Sequence, residues 1–355
     1  MKWLCFGAGA LGTYLGGSLA VAGEQVVFLE RPAAAAELRR RGLRLDFGRY
    51  RRDASGGLAT IQPAALMVED SLQAALLRGP FDVAIYALKS FDTPAALESM
   101  TPFESHLPPV CCFSNGVDNE AAIGAVLGTD RVIPASVTTA IGRRGPGDIV
   151  LEKLRGVGIS SLHPLSRPVA DAANAALLRA RLFSNPLAMK WSKLLTNLLA
   201  NPTSAILDMT AAQIFENPQL YRLEVGVLRE CLDVMRAQNL PVLDLPGVPV
   251  RALALAIRLP AWVSKPLLAR AAGGARGGKM PSFHIDLHSG RGQSEVEYLH
   301  GAVGRAGEKY GVPTPINALL TEILMALTLG KKSRDEYARQ PRKLLAALEA
   351  RGRTP

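Results

Sequence analysis

The feature that most constrains this chain is a cluster of glycines near its start. Gly7-Ala8-Gly9-Ala10-Leu11-Gly12 follows the apolar run Trp3-Leu4-Cys5-Phe6 and opens a helix-length segment over residues 10–22. G-x-G-x-x-G between a strand and a helix has a defined physical use. Gly7 permits the tight turn, Gly9 lets backbone approach a pyrophosphate, and Gly12 lets helix and strand pack closely. Backbone N–H groups at the helix start, those of Ala10 and Leu11 among them, then face the phosphates at the positive end of the helix. A second β-run, Gln25 to Glu30, ends about one βαβ unit later, which separates a dinucleotide site from a chance glycine-rich turn.

The same glycines argue against a secretory leader. Lys2 and an apolar run ending in Leu19-Ala20-Val21-Ala22 have the outline of one, but Gly7, Gly9, Gly12, Gly16 and Gly17 break it as a nucleotide turn requires. A cytoplasmic protein is expected. Cys5, Cys111, Cys112 and Cys231 show neither CxxC nor zinc-type Cys/His spacing, so they read as reduced, packed thiols and no metal is expected.

Beyond the turn, β-runs alternate with helical runs. Pro32 opens an Ala-rich helix, and further strands are predicted at residues 81–88, 109–114 and 131–137. This alternation predicts an α/β fold: a Rossmann-type, doubly wound parallel sheet. Residues 148–160 read as a closing antiparallel hairpin. From about residue 185 helical periodicity takes over, with a boundary at Phe183-Ser184-Asn185-Pro186. The 355 residues therefore divide into a dinucleotide-binding domain at 1–185 and an all-helical domain at 186–355.

Net charge is +10, and two segments carry it. Residues 245–285 contain six bases and no acid, and the segment from Lys331 to the end has eight bases against three acids. The latter reads as a solvated helix with a frayed end. The former lies in a basic, Pro- and Leu-rich segment, residues 241–279. Its longest apolar run, Leu253 to Leu268, is cut by Arg258, Pro260 and Lys265, so no transmembrane span is expected. A lid, an oligomer contact and a membrane-surface helix remain open for it. Without a nucleic-acid motif or interleaved aromatics, no nucleic-acid partner is expected.

Candidate site residues fall into two groups. Glu30 at the end of the second strand suits a ribose 2′-hydroxyl, and Arg31 suits the 2′-phosphate of NADP; Arg39, Arg40 and Arg41 tilt the balance to NADP unless they are the wet face of a helix. Lys89 stands just past a strand, where the ligand crevice opens. In the second half, Lys193, Asn197 and Asn201 are spaced i, i+4, i+8, one stripe of a continuous helix beside Leu194, Leu195, Leu198 and Leu199. A helix beginning at residue 295 turns Glu295 inward with Leu299, Ala302 and Val303, and Glu297 outward. His284 and His300 read as hydrogen-bonded structural histidines.

Together these residues resemble the ketopantoate reductase family. The resemblance runs through GAGALG; Arg31; Lys89 in Ala87-Leu88-Lys89; Asn115-Gly116 with Glu120; Lys193 to Asn201-Pro202; Ser282, Asp286 and Glu295; and Gly311-Val312-Pro313-Thr314-Pro315. It implies NADPH-dependent reduction of 2-dehydropantoate to (R)-pantoate, on the way to pantothenate and coenzyme A. It makes Lys193 the general acid and Glu295 its catalytic partner. Asn197, Asn201 and Ser282 would bind the substrate, Asn115 would place the nicotinamide, and Lys89 would contact the cofactor. A helical second domain closing over the Rossmann crevice also follows from it, and a homodimer is compatible with it. The segment at 241–279, Lys279 and His300-Gly301 depart from the usual pattern, which leaves a different 2-oxo acid or ketone as the alternative substrate. A catalytically silent NADPH-binding regulator is the alternative from another class.

Overall fold

The computed structural model describes residues 1–51, 56–273 and 280–352, with no side-chain detail at 269–273. Arg276, Lys279 and Arg353 of the basic segments lie outside the described residues. Two compact units are present: Met1–Lys190 with Leu245–Val248, and Trp191–Asp244 with Pro249–Pro355.

The first unit contains β1 (Lys2–Phe6), β2 (Gln25–Leu29), β3 (Leu43–Asp46), β4 (Leu58–Ile61), β5 (Met67–Glu69), β6 (Val83–Tyr86), β7 (Val110–Cys112), β8 (Val132–Val137), β9 (Ala140–Gly145), β10 (Asp148–Lys153), β11 (Val157–Ser160) and β12 (Ala180–Phe183). Its helices are α1 (Ala10–Val21), α2 (Pro32–Arg41), α3 (Leu72–Leu76), α4 (Thr93–Met100), α5 (Asn119–Leu127) and α6 (Ser166–Ala175). Eight strands form one sheet in the order β12-β11-β8-β7-β6-β1-β2-β5. From β5 to β8 every pairing is parallel. Parallel strands are buried on both faces, and β1 shows how the sequence arranges this. Trp3 and Cys5 join one core with Val26, Phe28 and Ile85; Leu4 and Phe6 join the opposite core with Val27, Ala84 and Tyr86. The chain runs outward from β1 through β2 to β5, then crosses back to β6. The glycine turn after β1 therefore sits at the point where strand order reverses, the usual ligand crevice of such sheets.

The hairpin expected at 148–160 does not form. β10 pairs antiparallel with β9 and parallel with β3 in a separate sheet ordered β4-β3-β10-β9, while β11 pairs antiparallel with β8 in the large sheet. β10 and β11 thus serve different layers, a non-local choice that alternation within 13 residues does not reveal.

All four cysteines are free and buried, and burial pushes each thiol well above its ordinary range. Among the described residues no helix is long and apolar enough to cross a membrane.

α7 (Pro186–Leu198) carries the division between the units, which falls between Lys190 and Trp191 inside the helix rather than before it. The second unit continues with α8 (Asn201–Leu207), α9 (Ala211–Glu216), α10 (Pro218–Ala237), α11 (Val250–Ala256), α12 (Ala261–Gly273), α13 (Ser282–His288), α14 (Val296–Tyr310), α15 (Pro315–Thr328) and α16 (Pro341–Glu349). Its described residues contain no strand beyond an isolated bridge at Leu245–Val248, which groups with the first unit. There the Thr138 hydroxyl donates to the Pro246 carbonyl at 2.6 Å. The C-terminal tail is not a solvated helix. α16 buries Leu344, Leu345 and Leu348, and Tyr337 just before it is also buried. Its charges lie on the remaining faces.

Candidate active site

In the first unit the glycine turn shows which glycines the fold itself requires. Gly7 has φ +89°, and a Cβ at Gly12 would stand 1.7 Å from the Gly7 carbonyl oxygen, so side chains are barred at both. A Cβ at Gly9 would meet nothing within 4 Å. Gly9 is therefore not fixed by internal packing, which fits a position reserved for close approach by a ligand. α1 begins with no side-chain cap and no acid in its first turn, leaving its positive end suited to a phosphate. The turn is steadied by the Thr13 hydroxyl, which donates to the Ala8 carbonyl at 2.8 Å. These features fit a dinucleotide.

Glu30 is already engaged. Its carboxylate accepts the Ala8 N–H at 2.5 Å and the Arg31 N–H at 3.1 Å. Arg39 pairs with Asp70 at 2.9 Å, Arg41 with Glu37 at 3.0 Å, and Arg40 with Glu37 at 3.6 Å. Those three arginines form the wet face of α2. Arg31, by contrast, is exposed at the N-cap of α2, at the carboxyl end of β2.

Lys89 and Asn115 follow β6 and β7, adjacent strands of the parallel sheet. Lys89 is half-buried, with Nζ 5.9 Å from the Phe91 ring centroid. The two loops are stitched together. The Asn115 carbonyl accepts from the Ser90 hydroxyl at 2.8 Å and from Asn119 Nδ2 at 2.7 Å, while the Ser114 hydroxyl donates to the Leu88 carbonyl at 2.8 Å. The fold thus gathers Gly7, Gly9, Ala10, Leu11, Gly12, Arg31, Lys89 and Asn115 at the carboxyl edge of β1, β2, β6 and β7.

One residue of this edge escaped sequence reasoning. Lys190, 3% exposed, donates from Nζ to the Ser114 carbonyl at 2.7 Å and the Ala135 carbonyl at 3.2 Å, and pairs with Glu120 at 2.7 Å. Burial is the largest influence and opposes its charge, but the partners led by the Glu120 carboxylate, through its charge and its hydrogen bond, outweigh burial and hold the ammonium above its ordinary range. The available signal was a lysine between Met189 and Trp191, in an otherwise apolar turn.

In the second unit Lys193 and Asn197 lie four apart on α7, both partly buried. The continuous stripe through Asn201 is broken. α7 ends at Leu198, Ala200 is left-handed with φ +54°, and Asn201 starts α8 with Pro202 beside it. Proline has no N–H for the helix ladder and its ring clashes with the carbonyl four residues back, so the helix cannot run through. Asn201 is instead turned toward α13. Its Oδ1 accepts the Phe283 N–H at 3.1 Å, and its Nδ2 donates to the Ser282 hydroxyl at 3.3 Å and to the Asn197 carbonyl at 3.2 Å. Asn197, Asn201 and Ser282 are thereby linked. Glu295 is 2% exposed at the N-cap of α14, and Glu297 faces solvent.

His300 is fully buried. Its Nδ1 lies 2.8 Å from Asn317 Oδ1, and burial pushes the imidazole down to about 3, so it stays neutral. Since Oδ1 only accepts, the ring proton sits on Nδ1. Asn317 Nδ2 in turn donates to Glu230 at 2.7 Å. This is a structural network.

The break between α7 and α8 has its own support. Glu224 of α10 is fully buried, and its Oε2 accepts the Ala200 N–H at 2.7 Å. Burial raises the carboxyl to about 7 from an ordinary 4.5, against the lowering effects of the Thr203 hydroxyl and the Ala200 N–H. The folded chain therefore holds a proton that the unfolded chain releases. Stability from this group is complete below pH 4.5 and is lost as pH rises to about 7. The total loss is about 3 kcal/mol. Glu224→Gln removes the ionisation and keeps an acceptor oxygen. In denaturant unfolding, the wild type should lose about 3 kcal/mol more than the variant between about pH 4.5 and 8. Parallel losses in the two proteins would show that the carboxyl does not titrate in this window.

Comparison with known proteins is decisive for the family. Residues 3–163 match the family described as ketopantoate reductase PanE/ApbA, and residues 185–328 match its C-terminal counterpart. The chain belongs to the ketopantoate reductase family. It is thus a member of a family of oxidoreductases that interconvert a ketone and a CH–OH group. The 2-dehydropantoate 2-reductase of Lactococcus lactis subsp. lactis (strain IL1403) is 25% identical over 333 residues, 91% of this chain and 97% of that one. A crystal structure of a PanE/ApbA family ketopantoate reductase from Ralstonia eutropha JMP134 superposes with a TM-score of 0.75 at 27% identity, covering 92% of this chain and 98% of that one. D-mandelate dehydrogenase, solved with NADH and anilino(oxo)acetate, shares the fold with a TM-score of 0.71 at 21% identity, over 92% and 98% of the two chains.

Proposed function

We propose that this ketopantoate reductase family member reduces the ketone of 2-dehydropantoate to the alcohol of (R)-pantoate, using NADPH, in pantothenate biosynthesis. The observation that carries the reading is the linked set Asn197, Asn201 and Ser282 next to Lys193, on α7, α8 and α13, within the region matched to the family's C-terminal half. Bound NADPH supplies the hydride, which goes to the carbonyl carbon. Lys193 stabilises the developing alkoxide with its charge and donates the proton that completes the hydroxyl. Glu295 binds the substrate hydroxyl and sets the lysine. Asn197 positions the substrate, Asn201 does so through its grip on Ser282, and Ser282 holds the carboxylate. In the first unit Gly7, Gly9, Ala10, Leu11 and Gly12 cradle the pyrophosphate, Asn115 orients the nicotinamide, and Lys89 contacts the cofactor. Arg31 takes the 2′-phosphate. With Arg39, Arg40 and Arg41 paired to carboxylates, Arg31 carries the preference for NADPH.

A 2-oxo acid panel assayed with NADPH and NADH tests the reading. A charged hydrogen bond to the 2′-phosphate contributes about 1.5–3 kcal/mol, so NADPH should exceed NADH by about tenfold or more in kcat/KM. Equal rates would remove Arg31 from its role. A second reading, a different 2-oxo acid as substrate, rests on the segment at 241–279, which departs from the compact family pattern and which forms α11 and α12 where it is described. Inactivity toward 2-dehydropantoate with turnover of another oxo acid would select it. The protein is expected in the cytoplasm with a small-molecule substrate and no nucleic-acid partner.

A further inference from the structure

His284 and His288 are four residues apart on α13, so they stand one turn apart on the same side of the helix. Their rings stack, with centroids 4.0 Å apart and planes inclined by 20°. His288 Nδ1 lies 2.9 Å from the His284 carbonyl oxygen. A carbonyl only accepts, so the proton is on Nδ1 and the lone pair of the neutral ring is on Nε2. That is how a metal-binding imidazole is commonly oriented, with one nitrogen donating to a carbonyl and the other left as ligand. His284 Nε2 is 2.8 Å from Asp208 Oδ1, and Asp208 follows α8 in a left-handed conformation with φ +47°. The hydrogen bond from His284 holds the Asp208 carboxyl below its usual range. One donor atom from each of Asp208, His284 and His288 lies within 4.8 Å of the other two. Among the described residues this is the one cluster of three such donors.

We propose that Asp208, His284 and His288 form a binding site for a borderline divalent transition-metal ion of the zinc class. Two imidazole nitrogens and one carboxylate oxygen suit zinc, cobalt or nickel and are a poor set for magnesium or calcium, which prefer oxygen alone. A tetrahedral ion with bonds of about 2.0–2.1 Å needs donors about 3.3 Å apart. Side-chain rotation supplies the closure, because the Asp208 side chain is 47% exposed and His288 is on the surface. The fourth position faces water. The consequence concerns α8 and α13. Asn201 already ties their N-terminal ends together through Ser282 and Phe283, and the ion ties their other ends. Metal binding thereby braces both ends of the helix pair that carries Asn201 and Ser282.

The test uses the full chain without an affinity tag. Zn²⁺ is titrated calorimetrically, and Co²⁺ is followed by its visible absorption as a spectroscopic stand-in. One Zn²⁺ per chain and a raised Tm are expected, with binding at least about tenfold weaker in both His288→Ala and Asp208→Asn. Mg²⁺ at millimolar concentration should do neither. Absence of Zn²⁺ binding by the wild type at about 100 μM, or unchanged binding in either variant with a native circular dichroism spectrum, overturns the site.

Discussion

Lys193→Ala should lower kcat for oxo-acid reduction by about 10³-fold or more while leaving the dissociation constant of NADPH within a few-fold of wild type. General acid catalysis alone contributes about 10²–10⁴, and loss of the fixed positive charge beside the forming alkoxide adds to it. Cofactor binding should survive because the glycine turn, Arg31, Lys89 and Asn115 all belong to the first unit, whereas Lys193 belongs to the second. Lys193→Arg keeps the charge but is a far poorer proton donor, since guanidinium stays protonated in proteins. Stopped-flow absorbance and NADPH fluorescence titration measure the two quantities separately. A variant that keeps turnover within about tenfold of wild type would falsify the assignment of Lys193 as acid.

Lys190→Met should destabilise the chain by about 3–5 kcal/mol. Methionine fills the volume but leaves the Glu120 carboxylate without its buried cation and the Ser114 and Ala135 carbonyls without their donor. Breaking one side of a buried pair costs more than the pair contributes, because the remaining charge stays desolvated. The double change Lys190→Met with Glu120→Gln should therefore recover part of the loss, and urea denaturation of the single and double variants gives the coupling. The single variant should also bind NADPH less tightly, since Asn115 follows the anchored Ser114 directly. A cost below about 1 kcal/mol for the single change would show the pair to be solvated.

The nucleotide turn was readable because its requirements are local. Gly7 answers to its own φ, and Gly12 to a carbonyl five residues back. β1, β2, β6, β7 and β8 were readable for the same reason, as continuous apolar runs buried on both faces. The strands β3, β4, β5 and β12 are as short as β6 and β7 but gave less to read, because each mixes polar or partly exposed residues into its run instead of being buried throughout. Glu295 was placed correctly as buried, from the inner stripe of its helix. The helix through Asn201 was not, although Pro202 stood in the sequence as a warning.

What the sequence by itself determined are the features set within one turn or one strand: the glycine cradle, the alternation that builds a doubly wound sheet, and the family's motifs in their order. The tertiary structure alone decided the partners of residues far apart in the chain. It gave β10 and β11 to different sheets, placed Lys190 against Glu120, set Glu224 beneath the break at Ala200, and brought Asp208 to His284. Buried charges and polar groups must find partners wherever the fold supplies them, and neither residue type nor spacing records which distant segment that is.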